Sequence, residues 1–188
     1  GVSWASYGTL ATARYYLAGI GTGTSGAPGG PGGSTLAVGG NTGSTTVGNC
    51  ESWSPSGGWT SIGNLITSRY GHAGAGIATS GLVCTGWIGS STATTEITNG
   101  VSWLSGGNMN TARYYTAGAG ASNTAGLCFG GSAPSNTAST ESYGLLNPGV
   151  FNTATLVYNG PTTGASGDTY LNLLDFSGIF RKRAVASS

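Results

Sequence analysis

The first 167 residues hold six charged side chains, three arginines and three glutamates, and both sets recur along the chain. Arg14, Arg69 and Arg113 each stand ten residues after a tryptophan: Trp4, Trp59 and Trp103. Glu51, Glu96 and Glu141 each follow a glycine step, at Gly39, Gly86 and Gly130. The intervals from Arg to that glycine are 25, 17 and 17, and from glycine to Glu 12, 10 and 11. The long first interval contains Ala27-Pro28-Gly29-Gly30-Pro31-Gly32-Gly33-Ser34, a loop insertion that accounts for the excess. Repeats of about 44 residues lie in the range of propellers and arrays. Surfaces usually scatter both signs of charge freely. A repeated body with no Lys and no Asp therefore reads as one whose charges are framework parts.

The text around the anchors agrees. Ala11-Thr12-Ala13-Arg14-Tyr15-Tyr16-Leu17-Ala18-Gly19 parallels Asn110-Thr111-Ala112-Arg113-Tyr114-Tyr115-Thr116-Ala117-Gly118, and Leu36-Ala37-Val38-Gly39-Gly40 parallels Leu127-Cys128-Phe129-Gly130-Gly131. The middle unit puts Gly86-Trp87 where the others have Gly-Gly. Segments are short and rich in Thr, Val, Tyr and Trp, with Gly, Ser and Asn between them, which is strand and turn chemistry. No segment keeps a helical apolar period over ten residues. Each unit reads as four strands: the Arg-Tyr-x-x-Ala-Gly segment, the apolar run into Gly, the Thr/Glu stretch and the Trp strand. The expected fold is all-β, with three four-stranded antiparallel units.

This pattern resembles kelch-type β-propeller repeats, on Gly39-Gly40 with Glu51 and Trp59, and on Gly130-Gly131 with Glu141 and Tyr143. The Ala-Arg-Tyr-x-x-Ala-Gly-x-Gly phrasing is also similar to kelch-like repeats in virion and tail proteins of marine bacteriophages. The resemblance covers residues 1 to 144 and implies architectural anchors rather than catalytic residues. It divides the chain into a repeat domain, 1–159, with units 1–58, 59–102 and 103–159, and a segment 160–188. Three units are few for a propeller, which has four to eight blades. Gly1-Val2-Ser3-Trp4 repeats the text that ends a blade, Gly100-Val101-Ser102-Trp103, while Pro148-Gly149 stands where a Trp is expected after Glu141. The ring is expected to be completed by another chain or by a longer polypeptide. Asn152-Thr153-Ala154-Thr155 reads as a degenerate fourth start. The chain opens with Gly1 and shows no signal peptide, which points to a processed chain or a fragment.

Each repeated Arg is expected to be buried and to hydrogen-bond a repeated Glu or main-chain oxygens, since guanidinium has five donors. The alternative is that the three line a ligand channel. Cys50, Cys84 and Cys128 read as buried thiols, with Cys84 and Cys128 at one repeat position shared with Ala37. Residues 160–168 read as a linker. Tyr170–Phe176, then Ile179-Phe180 and Arg181-Lys182-Arg183, read either as a last strand with a solvated tail or as a docking arm.

Composition limits function. Charged residues are 6%, against about 25% in a typical domain, and the net charge is +1, so nucleic acid is not an expected partner. No apolar run is long enough for a membrane-spanning helix. His72 is the lone histidine and reads as a strand residue, the glutamates are spread one per unit, and no metal or cofactor motif is present. No enzyme activity is expected. The leading expectation is a structural or interaction protein of a virion (tail or capsid decoration) or other extracellular assembly, acting as a homo-oligomer or with other assembly proteins. The alternative is a glycan-binding adhesion module, with Trp53 and Trp87 as stacking residues because they are out of phase with the framework tryptophans.

Overall fold

The structure is a computed structural model that describes residues 3, 6, 8–21, 34–144, 169–174 and 180–185, the last two stretches as backbone. Every described element is a strand. The chain divides into two compact units, Gly1–Leu146 and Asn147–Ser188.

The first unit holds three antiparallel sheets in chain order. The first is β1 (Ala18–Gly21), β2 (Thr35–Asn41), β3 (Thr46–Ser54) and β4 (Gly58–Ile62). The second is β5 (Ala73–Ile77), β6 (Ser80–Cys84), β7 (Thr95–Thr98) and β8 (Trp103–Ser105). The third is β9 (Ala117–Ser122), β10 (Ala125–Phe129) and β11 (Thr140–Gly144). In each sheet the strands pair in sequence order, as short β-rich runs joined by Gly and Ser turns require. The expected four-stranded unit is therefore seen twice, and the third sheet has three strands among the described residues. The sheets end after the Trp strand, at Ile62 and Ser105, a few residues beyond the unit boundaries at 58 and 102. Trp4, Pro148-Gly149, the segment 152–155 and the linker 160–168 lie outside the described residues.

The first strands stand side by side, β1 on β5 and β5 on β9, so the sheets stack face to face as propeller-like blades in a ring that does not close. One core fills the first joint, with Ile20, Leu36, Val38 and Cys50 of the first sheet against Val83 and Trp103 of the second. Another fills the second joint, with Ala73, Ala75, Leu82 and Cys84 against Cys128 and Tyr143. The second unit contains β12 (Thr169–Leu174) paired antiparallel with β13 (Phe180–Val185), a hairpin where sequence suggested one strand or an arm.

The register corrects two details of the repeat alignment. Ala18, Ala73 and Ala117 pair with Val38, Cys84 and Phe129. Thr85-Gly86, not Gly86-Trp87, thus occupies the place of Gly39-Gly40 and Gly130-Gly131. All six residues have positive φ, including Thr85 at 67°. This one-residue shift moves Cys84 to the opposite sheet face from Cys128. Cys128 keeps the repeat position of Ala37, where the second sheet has Val83, and Cys84 does not share it. The two cysteines meet across the second joint as buried free thiols.

Candidate functional site

Each sheet contains the same internal clip. Arg69 Nη2 lies 2.7 Å from Glu96 Oε1, Arg14 Nη1 2.6 Å from Glu51 Oε1, and Arg113 Nη2 2.9 Å from Glu141 Oε1. All three arginine side chains are fully buried. The pairs form within a sheet, not between sheets. Arg69 Nη1 also donates to the carbonyls of Thr85 (2.9 Å) and Thr94 (2.8 Å), and Arg113 Nη1 to those of Gly130 (3.0 Å) and Ser139 (2.7 Å). The second carboxylate oxygen accepts a backbone N–H three residues before the arginine, from Ala11 (2.8 Å), Ile66 (2.7 Å) and Asn110 (2.6 Å). One buried charge pair thereby ties the loop entering a sheet to its second and third strands. Such pairs need most of their hydrogen bonds to offset desolvation. Arg69 Nε also donates to the Thr67 carbonyl, whereas Nε of Arg14 and of Arg113 is buried with no hydrogen-bond acceptor among the described residues. With every donor group directed inward, the arginines do not line a channel.

Trp59 of β4 pairs with Trp53 of β3 and is partly buried, and Trp103 of β8 is buried. Trp53 is only 4% exposed. It cannot stack on a sugar, because its strand is covered on the face that carries it. His72 is buried, and burial together with the Arg69 charge lowers its pKa to about 3, so it is a neutral core residue at ordinary pH. Burial also pushes the Cys50 thiol up to about 11. Among the described residues no group of three metal-ligating side chains occurs. No helix there is long and apolar enough to cross a membrane.

The surface feature that sequence reasoning missed is a cluster of aromatics directly after the buried arginines. Tyr15, Tyr16 and Tyr115 are each about half exposed. Ring centroids lie 4.7 Å apart for Tyr15–Tyr16, 5.1 Å for Tyr16–Tyr115, 5.9 Å for Tyr16–Tyr70 and 4.7 Å for Tyr114–Tyr115. Trp87 joins through Tyr114 at 5.0 Å and is partly exposed. Tyr16 and Tyr115 have φ of 54° and 55°, a left-handed conformation that costs about 1–2 kcal/mol for a side chain of this kind. Backbone bonds between sheets hold it. Gly71, at the same place in the second sheet with φ of 62°, donates to the Tyr16 carbonyl at 2.8 Å and accepts from Tyr115 N–H at 2.6 Å. A Cβ on Gly71 would meet the Tyr115 ring at 2.7 Å, so glycine there leaves room for the rings to gather. The Tyr115 hydroxyl is held above the usual phenol value by partial burial and by its Tyr16 neighbour. A Tyr-Tyr pair following a buried Arg, with Gly replacing one Tyr in the middle unit, is the sequence signal. It marks a turn, where the alternation of a strand stops.

No family model and no curated protein matches the chain. Among solved structures, one described as "Structure of YjhT" is similar with a TM-score of 0.61 at 11% identity, over 78% of this chain and 47% of that one. The chain thus spans about half the length of that structure, and the likeness is one of fold alone.

Proposed function

We propose that this chain is a non-catalytic structural and interaction module of a virion, as a tail or capsid decoration, or of another extracellular assembly. The observation that supports it is the use of charge. All six charged side chains of the repeat body sit in internal clips, five of them buried and Glu141 partly exposed, and the lone histidine is a neutral core residue. General acid–base chemistry needs an ionisable group that reaches substrate, and these groups are held inside. The outer surface that remains carries hydroxyls, glycines and aromatics, which salt barely perturbs. The resemblance to phage virion repeats favours a virion over other assemblies, with partners that are copies of this chain or other assembly proteins. Immunogold electron microscopy with antibody to the chain tests the reading: gold on intact particles of the source supports it, and gold confined to soluble material contradicts it.

The aromatic cluster favours a second reading, a glycan-binding module. Tyrosine offers a rigid apolar face with a polar tip, suited to stacking on a sugar ring while bonding its hydroxyls. Tyr16, Tyr115 and Trp87 take the role that Trp53 cannot. Binding on a glycan array that falls at least tenfold in Tyr115→Ala and Trp87→Ala establishes this reading. Absence of binding by the parent chain removes it.

A further inference from the structure

The two joints between sheets follow one scheme. The leading sheet presents apolar side chains from its first two strands, and the following sheet receives them on glycines. Ala18, Ile20, Leu36 and Val38 of the first sheet are buried, as are Ala73, Ala75, Leu82 and Cys84 of the second. A Cβ on Gly74 would strike Ile20 at 2.8 Å and Ala18 at 3.2 Å, and one on Gly118 would strike Ala73 at 2.9 Å. Gly81 and Gly126 likewise lie under Ile20 and Leu82. Backbone bonds complete each joint. Gly40 and Gly86 N–H donate to the Arg69 and Arg113 carbonyls, both at 2.9 Å, while Gly71 and Tyr115 N–H donate back to the Tyr16 and Gly71 carbonyls.

The third sheet has the leading face with nothing on it among the described residues. At the positions of Leu82 and Cys84 stand Leu127, 40% exposed, and Phe129, 38% exposed, with Ala117 and Ala119 exposed beside them. The first sheet has the complementary defect. Gly19 holds the place of Gly74 and Gly118, is exposed, and a Cβ built on it meets nothing within 4 Å. On the same face Ala37 and Trp53 are already buried, so the open part is the edge formed by the first strand. The backbone atoms match too. Among the described residues, no main-chain bond outside the strands uses Gly131 N–H or the Tyr115 carbonyl at one end, or the Arg14 carbonyl or Tyr16 N–H at the other.

We propose that a second copy of this chain docks head to tail, the third sheet of one copy covering the first sheet of the next. Ala117, Ala119, Leu127 and Phe129 pack over Gly19, Gly131 N–H donates to the Arg14 carbonyl, and Tyr16 N–H donates to the Tyr115 carbonyl. A second copy is the occupant because the chain carries both halves of a joint that it already makes twice internally. The contact is heterologous, the kind that closes into a ring or runs on as a filament. One position departs: Thr35 stands where the internal joints have Gly81 and Gly126, so the joint between copies is looser than those within the chain. Micromolar association, on the order of the weaker standard interfaces, is the expectation. This inference rests on the packing of the sheets and not on the virion reading.

Sedimentation velocity of the whole chain from about 1 to 100 µM tests it, a range that brackets micromolar binding. The parent associates with rising concentration. Leu127→Asp and Gly19→Leu, both at exposed positions, keep the parent melting temperature and each weaken association at least tenfold. An equimolar mixture of the two regains a pair, because each retains one intact face. Hydrogen exchange needs no variant: the Gly131 and Tyr16 amides become protected as concentration rises. A parent monomeric throughout, an oligomer that both variants leave intact, or protection independent of concentration (a face covered by the chain's own residues) overturns the proposal.

Discussion

The second and third sheets carry the same signature, an Arg-Tyr entry, an apolar second strand and a Glu in the third strand, yet they differ in what covers them. The second sheet lies between two neighbours: Leu82 is 2% exposed, and the Glu96 side chain of its clip 3%. In the third sheet the matching residues, Leu127 and the Glu141 side chain, are 40% and 16% exposed. Identical local chemistry thus has different energetic weight according to its place in the stack. A repeat supplies the shape of a sheet and its internal clip, and the neighbours add their own share of stability, as in other arrays of stacked units.

Substitutions at equivalent positions probe that difference. The largest effect is expected at the clips. Arg69→Ala strands a buried carboxylate and should lose about 3–5 kcal/mol in urea unfolding. Arg113→Ala should lose clearly less, because Glu141 can rehydrate. Equal losses would break the comparison. Next come the apolar faces: Leu82→Ala should cost about 2–5 kcal/mol, and Leu127→Ala in the monomer no more than about 0.5 kcal/mol. Glycines follow. Gly74→Ala forces a Cβ against the Gly19 carbonyl at 2.9 Å and should cost about 1–3 kcal/mol. Gly19→Ala, at the open end, should be neutral in thermal melts.

A separate effect concerns pH and belongs to the second sheet alone. Leu17 and Thr116 hold the place of His72 in the other two. The unfolded imidazole titrates near 6.5 and the folded one near 3. Between those values the unfolded state binds the extra proton. Stability is therefore full above pH 6.5 and falls as pH drops toward 3, by at most about 1.4 kcal/mol per pH unit. Urea midpoints at pH 7, 6 and 5 should show this decline in the parent and a flatter profile in His72→Leu.

The all-β class and the order of strands within a unit were legible because they rest on local text: glycine steps, β-rich runs and a Trp strand. The recurrence of Arg and Glu was equally visible, but that each pair closes inside its own sheet depends on strand pairing that spacing does not reveal. The middle register was misread because Gly86-Trp87 looked like the natural counterpart of Gly-Gly. Thr85 instead takes the left-handed position, buried and with its hydroxyl 2.5 Å from that of Thr116 in the next sheet. Tertiary contact overrode the local preference for glycine. Trp53 looked exposed because it is out of phase with the framework tryptophans, but both faces of β3 are largely buried. The tyrosine cluster was illegible for a related reason: Tyr favours strands, and nothing in the text shows that Tyr16 and Tyr115 sit at a left-handed turn.

The central claim is that a buried charge pair pins each sheet from inside, and a double-mutant cycle on Arg69 and Glu96 tests it most directly. Arg69→Met and Glu96→Gln should each destabilise by about 3–5 kcal/mol, and the double variant by less than their sum, with a coupling of about 1–3 kcal/mol. Single variants that melt with the parent and add without coupling would contradict it.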